Sequence, residues 1–368
     1  MSSTSTSTRN LSHIIPLDFN SVDTLPDSHT WDSSPDHHLF TEFVPIIDLH
    51  DPNAATLIRL ASEQWGVFQV TNHGVPMNLV QEAEVQARGL FELPRDQKLR
   101  ALRSPESFSG YGSAGNAANF SKLMWSEGFT IMGSPVEHAA QLWPDDQSVQ
   151  THFCVDDFNP DGGYSCSDVM EEYQKKMKGL SGKLIRLMLG SLGLDKEDVK
   201  WLNRPKRSST KFPQVLQLNS YPVCPDPTRA MGLAPHTDTS VFTVLNQCDI
   251  SGLQVFQEGI GWMSVQPIPG ALVVNVGDLM HILSNGRFKT TIHRAVVNEL
   301  HHRISIAYFY GPPYDVKISP LMKLIGQDHP PLYRPVTWKE YLGIKGTHFN
   351  RALELIRNDT GYASFIYE

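Results

Sequence analysis

His236 and Asp238 stand two residues apart in His236-Thr237-Asp238. In an extended strand the side chains at i and i+2 leave the same face, so this imidazole and this carboxylate aim at one point. One more imidazole would complete a two-histidine, one-carboxylate set with positions left open, a donor set suited to an iron(II) ion that handles oxygen. His293, in Thr291-Ile292-His293-Arg294-Ala295, is the choice for that third donor, because it opens a strand-like segment continuing through Val296 and Val297. On composition alone, His281, His301 and His302 meet the same requirement. With 15 histidines in the chain, an isolated H-x-D can also arise by accident, typically in a surface turn.

A second set obeys the same alternation. Arg303 and Ser305 are two apart in Arg303-Ile304-Ser305-Ile306-Ala307-Tyr308-Phe309-Tyr310, and Asn219 and Tyr221 are two apart in Gln217-Leu218-Asn219-Ser220-Tyr221. Each pair would face one interior, while Ile304, Ile306 and Leu218 face the other layer. An arginine aimed into a core requires an anionic partner, because an unpaired buried charge is costly. A guanidinium fork matches a carboxylate bidentately, and Ser and Tyr hydroxyls can complete such a site. The alternative is an internal Asp or Glu as the partner, and these residues alone leave the two readings level.

The elements that must hold these residues follow from pattern. Val44–Leu49 and Gly66–Val70 read as short strands, with Ala54–Glu63 helical between them and Asn72-His73-Gly74-Val75-Pro76 as a turn. His73 reads as a turn histidine capping a strand, not as a ligand. Met77–Leu93 has helical spacing that stops at Pro94, and the Gly-, Ser- and Asn-rich stretch Ser107–Asn119 reads as loop. Met170–Leu192 is amphipathic, with Met177, Leu180, Leu184, Leu187 and Met188 on one face. From about Phe212 to Pro312 the pattern becomes short β-rich runs broken by Gly, Pro and Asn: Val215–Tyr221, Ser240–Leu245, Leu253–Phe256, Ala271–Val276, His293–Val297 and Arg303–Tyr310. Such strands without helices between them predict a double-sheet barrel or jelly roll, not a parallel α/β sheet. Thr337–Arg357 reads as a final helix.

Bulk properties narrow the function classes. A chain of 368 residues can bury a substantial core, and a net charge of −8 with pI near 6.0 argues against phosphate-neutralising nucleic-acid binding. No run reaches the roughly 18 apolar residues of a membrane span. Cys154, Cys166, Cys224 and Cys248 lie at wide, uneven intervals, which fits reduced thiols in the cytosol better than a zinc knuckle or disulfide framework. Cys224, between prolines, reads as a packed thiol. The N-terminal MSSTSTSTRNLSH is Ser/Thr-rich with a single arginine. A chloroplast transit peptide is one reading; a disordered tail over residues 1–40 is the stronger one.

Taken together, N-x-Y-P-x-C-P (Asn219 to Pro225), H-x-D (His236, Asp238), His293 and R-x-S (Arg303, Ser305) resemble the plant 2-oxoglutarate/Fe(II)-dependent dioxygenases. Pro45–Leu49 and Trp65–Val75 resemble that family's N-terminal domain, so the resemblance runs from about Val44 to Arg357. More narrowly, Lys122-Leu123-Met124-Trp125-Ser126-Glu127-Gly128-Phe129-Thr130-Ile131 and His236-Thr237-Asp238-Thr239-Ser240 resemble the gibberellin 3β-dioxygenases. The resemblance implies an α+β chain: a double-stranded β-helix, or jelly-roll, core with flanking helices and an N-terminal α/β region. The expected divisions are a polar tail (1–40), an N-terminal dioxygenase region with a long helix (41–205), the jelly-roll domain (206–315) and a C-terminal helical segment (316–368).

It further implies that His236, Asp238 and His293 hold Fe(II), with 2-oxoglutarate and O2 as co-substrates and ascorbate as a stimulant. Arg303 and Ser305 would bind the distal carboxylate of 2-oxoglutarate, assisted by Tyr221 and Asn219. The expected substrate is a gibberellin, a diterpenoid acid, hydroxylated at C-3, with Trp125, Phe129, Phe242 and Phe309 as pocket candidates. For Trp125 and Phe129 the plainer reading is core packing. No nucleic acid, membrane or obligate protein partner is expected. Other readings stay open here: 2β or C-20 oxidation of gibberellins, flavonoid hydroxylation, an oxidase of this fold that does not use 2-oxoglutarate, and a non-catalytic binding barrel. The intact ligand set argues against the last.

Overall fold

The computed structural model describes residues 13–31, 44–113, 119–136, 138, 166–203 and 215–358. The N-terminal part supplies β1 (Ile46–Asp48), α1 (Ala54–Gln64), β2 (Val67–Thr71), α2 (Met77–Glu92), α3 (Arg95–Arg100), β3 (Gly110–Gly112), β4 (Glu127–Met132) and the long α4 (Cys166–Ser191). The β-rich part supplies β5 (Val215–Tyr221), β6 (Leu233–His236), β7 (Phe242–Asn246), β8 (Leu253–Gln257), β9 (Gly261–Ser264) and β10 (Leu272–Val276). It continues with α5 (Asp278–Leu283), β11 (His293–Ala295) and β12 (Arg303–Tyr310), and α6 (Trp338–His348) follows.

The strands form a large sheet, β1-β2-β10-β7-β12-β5-β4-β3, and a smaller one, β6-β11-β8-β9. Apart from parallel β1–β2, neighbouring strands run antiparallel. The N-terminal strands thus extend the same sheet that forms one wall of the barrel. Between the two sheets lie Val67, Leu245, Leu253, Val255, Met263, Val273 and Ala307. The opposite face of the large sheet carries Phe68, Val70, Leu216, Leu218, Val244, Val274, Ile304 and Ile306, which pack in one core with the apolar faces of α1, α2 and α4. On α2 that face is Leu79, Val80, Ala83, Ala87, Leu90 and Phe91, the spacing of one helical stripe. The helix stops because Leu93, ahead of Pro94, takes extended angles.

One glycine is required by the joint between these layers. Gly66, between α1 and β2, has φ +68°, and a Cβ there would lie 2.6 Å from Lys289 O and against the Thr291 hydroxyl. The α1–β2 turn therefore rests directly on the segment that leads to His293.

Four expectations are corrected. The polar tail does not extend over residues 13–31: Ile14 and His29 are buried, and Leu17, Phe19, Val22 and Leu25 pack around Trp125. Trp31 Nε1 also donates to Leu123 O at 3.0 Å, so apolar residues scattered among polar ones tie the segment down. Residues 1–12 and 32–43 lie outside the described residues, as do Cys154 and the expected division at 205. Within Ser107–Asn119, Gly110–Gly112 pairs with β4, since backbone hydrogen bonding needs no side-chain pattern. Helix α5 does lie between barrel strands; at six residues it is too short to show a helical period. The final helix is broken at Phe349, whose φ of +47° ends α6, and a short turn of helix follows at Ala352–Leu355.

Candidate metal centre and cavity

β6 and β11 are antiparallel neighbours, and their register sets His293 directly opposite His236. Asp238 follows two residues after His236, just beyond the end of β6. The ligand atoms of the three side chains all lie within 4.8 Å of one another. His236 Nε2 is 3.7 Å and His293 Nε2 3.6 Å from Asp238 Oδ1. Both imidazoles are oriented from behind: Nδ1–H of His236 donates to Ala234 O at 2.8 Å, and that of His293 to Thr291 O at 3.1 Å. Those bonds fix the tautomers so that each Nε2 presents its lone pair to the common point. Burial, and then the facing His293, push His236 down to about 4, which keeps its imidazole neutral near pH 7. Two imidazoles and a carboxylate, all largely shielded from water, fit an Fe(II) ion with open positions.

The other candidate histidines lie away from this point. His281 bonds Phe288 O at 2.6 Å and the Tyr333 hydroxyl at 2.9 Å. His302 bonds Ser220 Oγ at 2.8 Å, and His301 is exposed. His73 accepts from Val75 N and donates to Gly270 O, each at 3.1 Å, as a turn histidine should.

The turn between the two neighbouring ligands is braced by residues the sequence did not single out. Thr237 Oγ1 donates to Asp278 Oδ2 at 3.1 Å, and Asp278 N donates to Asp238 O at 2.7 Å. Asp278 is fully buried and also accepts from Thr290 Oγ1 (2.8 Å), Tyr341 OH (2.7 Å) and Lys345 Nζ (2.9 Å). The one sequence signal for it is an acid two residues after the largely apolar run Ala271–Val276. Its partners Tyr341 and Lys345 lie far along the chain, on α6.

The second constellation is assembled by the β5–β12 ladder. Arg303 lies opposite Tyr221 and Ser305 opposite Asn219, so the two i, i+2 pairs form one patch on the barrel-interior face. Arg303 is 2% exposed; its Nε donates to Ile250 O at 3.1 Å and its guanidinium stands 5.0 Å from the Tyr221 ring centroid. The Tyr221 hydroxyl lies near Ser305 and Arg303, and Asn219 Nδ2 reaches Ser305 Oγ at 3.4 Å. Among the described residues no carboxylate forms an ion pair with Arg303, which removes the internal Asp or Glu that the sequence left open. Gly252 backs the arginine: a Cβ there would lie 2.8 Å from Arg303 Cδ and 2.9 Å from Val296 O. Gly252→Ala should therefore displace Arg303 and raise the KM for its anionic partner several-fold, with little change in the KM for the oxidised substrate. Steady-state kinetics in each substrate check this, and an unchanged or equal pair of KM values would count against it.

Beside the metal centre opens a cavity of about 270 Å³ whose wall includes His236, Asp238, Asn219 and Phe309. That is near the lower end of the roughly 300–1,000 Å³ of small-molecule sites. Of the four aromatic candidates only Phe309 lines it. Phe242 faces the helical layer, stacked on Tyr310 at 5.0 Å; Phe129 lies against Phe91 and Tyr111 in the same layer. Trp125 is buried under the N-terminal segment, its Nε1 donating to Pro222 O at 3.1 Å. The apolar wall is supplied instead by Phe108, Tyr314, Trp338, Leu342 and Phe349, and Arg103 and Lys345 add two cations. Cys224 is a buried free thiol pushed up to about 11 by burial, inert as expected.

This geometry agrees with what the chain is similar to. The pattern of the 2OG-Fe(II) oxygenase superfamily matches residues 212–312, and that described as non-haem dioxygenase in morphine synthesis N-terminal matches 44–147. Gibberellin 3-beta-dioxygenase 1 of Pisum sativum is 52% identical over 349 residues, covering 92% of this chain and 89% of its own. Gibberellin 3-beta-dioxygenase 3 of Arabidopsis thaliana is 49% identical, covering 95% of this chain and 96% of its own. A crystal structure of JOX2 in complex with 2OG, Fe and JA superposes with a TM-score of 0.75 at 32% identity, over 92% of this chain and 95% of that one. With its facial triad, its two-sheet barrel and these full-length similarities, the chain belongs to the 2OG-Fe(II) oxygenase superfamily, among the gibberellin 3-beta-dioxygenases.

Proposed function

We propose that the protein hydroxylates C-3 on the β face of a C19 gibberellin, converting a precursor into active hormone. The observation that carries this is a complete donor set and cavity in a chain 47–52% identical, over nearly its whole length, to several gibberellin 3-beta-dioxygenases. Iron(II), with O2 and 2-oxoglutarate, supplies the oxidising chemistry: one oxygen atom enters a C–H bond, and the co-substrate leaves as succinate and CO2.

The protein's own part is position and exclusion of water. His236, Asp238 and His293 hold the metal. Arg303, unpaired by any described carboxylate, receives the distal carboxylate of 2-oxoglutarate, with Ser305 and Tyr221 hydroxyls beside it and Asn219 ordering Ser305. Phe309 and the aromatic wall cover the rings of the diterpenoid. No helix among the described residues is long and apolar enough to cross a membrane. The buried, unpaired thiols of Cys224 and Cys248 support a reducing compartment such as the cytosol.

C-2 and C-3 are adjacent, so a shift of about an ångström exchanges products. Purified protein with Fe(II), ascorbate, 2-oxoglutarate and a C19 gibberellin lacking the 3-hydroxyl should give a product heavier by one oxygen, with one succinate per turnover. Chromatography against 2β- and 3β-hydroxylated standards decides the position. A dominant 2β product refutes the regiochemistry alone. Turnover without succinate refutes the use of 2-oxoglutarate, and no turnover with any gibberellin refutes the substrate class.

A further inference from the structure

We infer that Lys345 is the residue that receives the substrate's carboxylate, and that it thereby sets the substrate's distance from the metal centre. The inference rests on the gibberellin reading above. Lys345 lies on α6 in the cavity wall, beside Leu342, Gly346 and Phe349. It is 8% exposed, so its ammonium has little access to bulk water. An ammonium has three donors. One goes to Thr237 Oγ1 and a second to Asp278 Oδ2 at 2.9 Å. The third has no acceptor among the described residues and belongs to a group that forms the cavity wall.

The placement gives this donor its meaning. Thr237 stands between the metal ligands His236 and Asp238, so an anion held by Lys345 is indexed to the metal through a single residue. Asp278 fixes the lysine from behind while Tyr341 and Thr290 complete its acceptor sites. Apolar walls with a fixed cation close to the metal ligands suit a rigid hydrocarbon acid, which can turn freely against aromatic surfaces but not around an ion pair. The plainer alternative is that Lys345 serves only as counter-ion to Asp278. Arg103 is the other cation on the wall, and its Nη1 donates to Ser113 O at 2.6 Å.

The test separates these roles by charge on the substrate. Kinetics are measured for the wild type, Lys345→Met, Lys345→Arg, Arg103→Met and the double variant Asp278→Asn/Lys345→Met, with a gibberellin acid and its methyl ester. The double variant leaves no uncompensated buried carboxylate if Lys345→Met alone fails to fold. Lys345→Met, or the double variant, should raise the KM for the acid roughly ten- to a hundredfold, as expected for loss of a charge-assisted hydrogen bond. In Lys345→Met the KM values for the ester and for 2-oxoglutarate should stay near wild type, in the double variant the ratio of acid to ester KM is the readout, and Lys345→Arg should keep a preference for the acid. Equal losses for acid and ester reduce Lys345 to a structural counter-ion and overturn the inference. So does loss of acid preference in Arg103→Met alone. A wild type that oxidises no gibberellin overturns the functional reading and this inference with it, whereas a wild type that oxidises both forms equally overturns only the inference.

Discussion

Alanine at His236, Asp238 or His293 should reduce turnover to background and abolish stoichiometric iron(II) binding, while the thermal transition remains cooperative. Each replacement leaves two donors around a point that three now converge on, and two donors do not hold a labile divalent ion in a defined geometry. The fold should survive because the three side chains point inward to a common centre and contribute little to either hydrophobic layer; the strands are held by the β6–β11 and β8–β11 ladders. Histidines outside the triad should behave in the opposite way. His281→Ala strands the Tyr333 hydroxyl and Phe288 carbonyl, costing stability on the order of 1–3 kcal/mol, yet it should bind iron normally. His302→Ala should do likewise, since its hydrogen-bond partner among the described residues is Ser220. Iron content and melting temperature, measured on the same preparations, distinguish the two classes. A His293→Ala protein that retains iron and activity, or a folded His302→Ala protein that lacks iron, would place the third ligand elsewhere.

How much of this was legible in the sequence depends on which physical signal each residue carries. Alternation along one strand is local, so Arg303 and Ser305 could be assigned one face and Ile304 and Ile306 the other, and the structure agrees. Register is not local. That Arg303 lies opposite Tyr221 and Ser305 opposite Asn219 is fixed by pairing between segments some eighty residues apart, which no single run of residues declares. The same holds for His293, which composition could not separate from His281, His301 or His302; its place opposite His236 is a property of the β6–β11 ladder.

The pocket was the least legible part. The large sheet is covered by helices on one face and by the second sheet on the other, so its strands are apolar on both sides and hydrophobicity cannot tell barrel from helix layer. Phe242 consequently packs in the helical layer and not in the cavity, Phe129 sits in the core as its plainer reading has it, and Phe309, on the alternation of Arg303 and Ser305, lines the cavity. Lys345 carries no signal until α6 is folded back over the H-x-D turn, and Asp278 only that of an acid close behind an apolar run. The N-terminal segment misled for a related reason: its composition is that of a tail, but a few apolar side chains suffice to seat it around Trp125.

Arg303→Lys should raise the KM for 2-oxoglutarate roughly ten- to a hundredfold and leave the KM for the gibberellin nearly unchanged. The guanidinium is buried at 2% exposure, donates through Nε to Ile250 O, and stands over the Tyr221 ring at 5.0 Å from its centroid. Its planar fork is thus fixed before any ligand arrives, and no described carboxylate competes for it. Lysine keeps the charge but has a single nitrogen, so it cannot satisfy both Ile250 O and two oxygens of a carboxylate in that plane. The loss is at least one charge-assisted hydrogen bond, about 1.5–3 kcal/mol, which converts to the stated change in affinity. The gibberellin should be spared because Arg303 is not part of the cavity wall that holds it. Equal increases in both KM values would mean that Arg303 shapes the barrel as a whole. An unchanged KM for 2-oxoglutarate would mean that another cation receives the co-substrate, and among those near the cavity Arg103 and Lys345 would be the next to test.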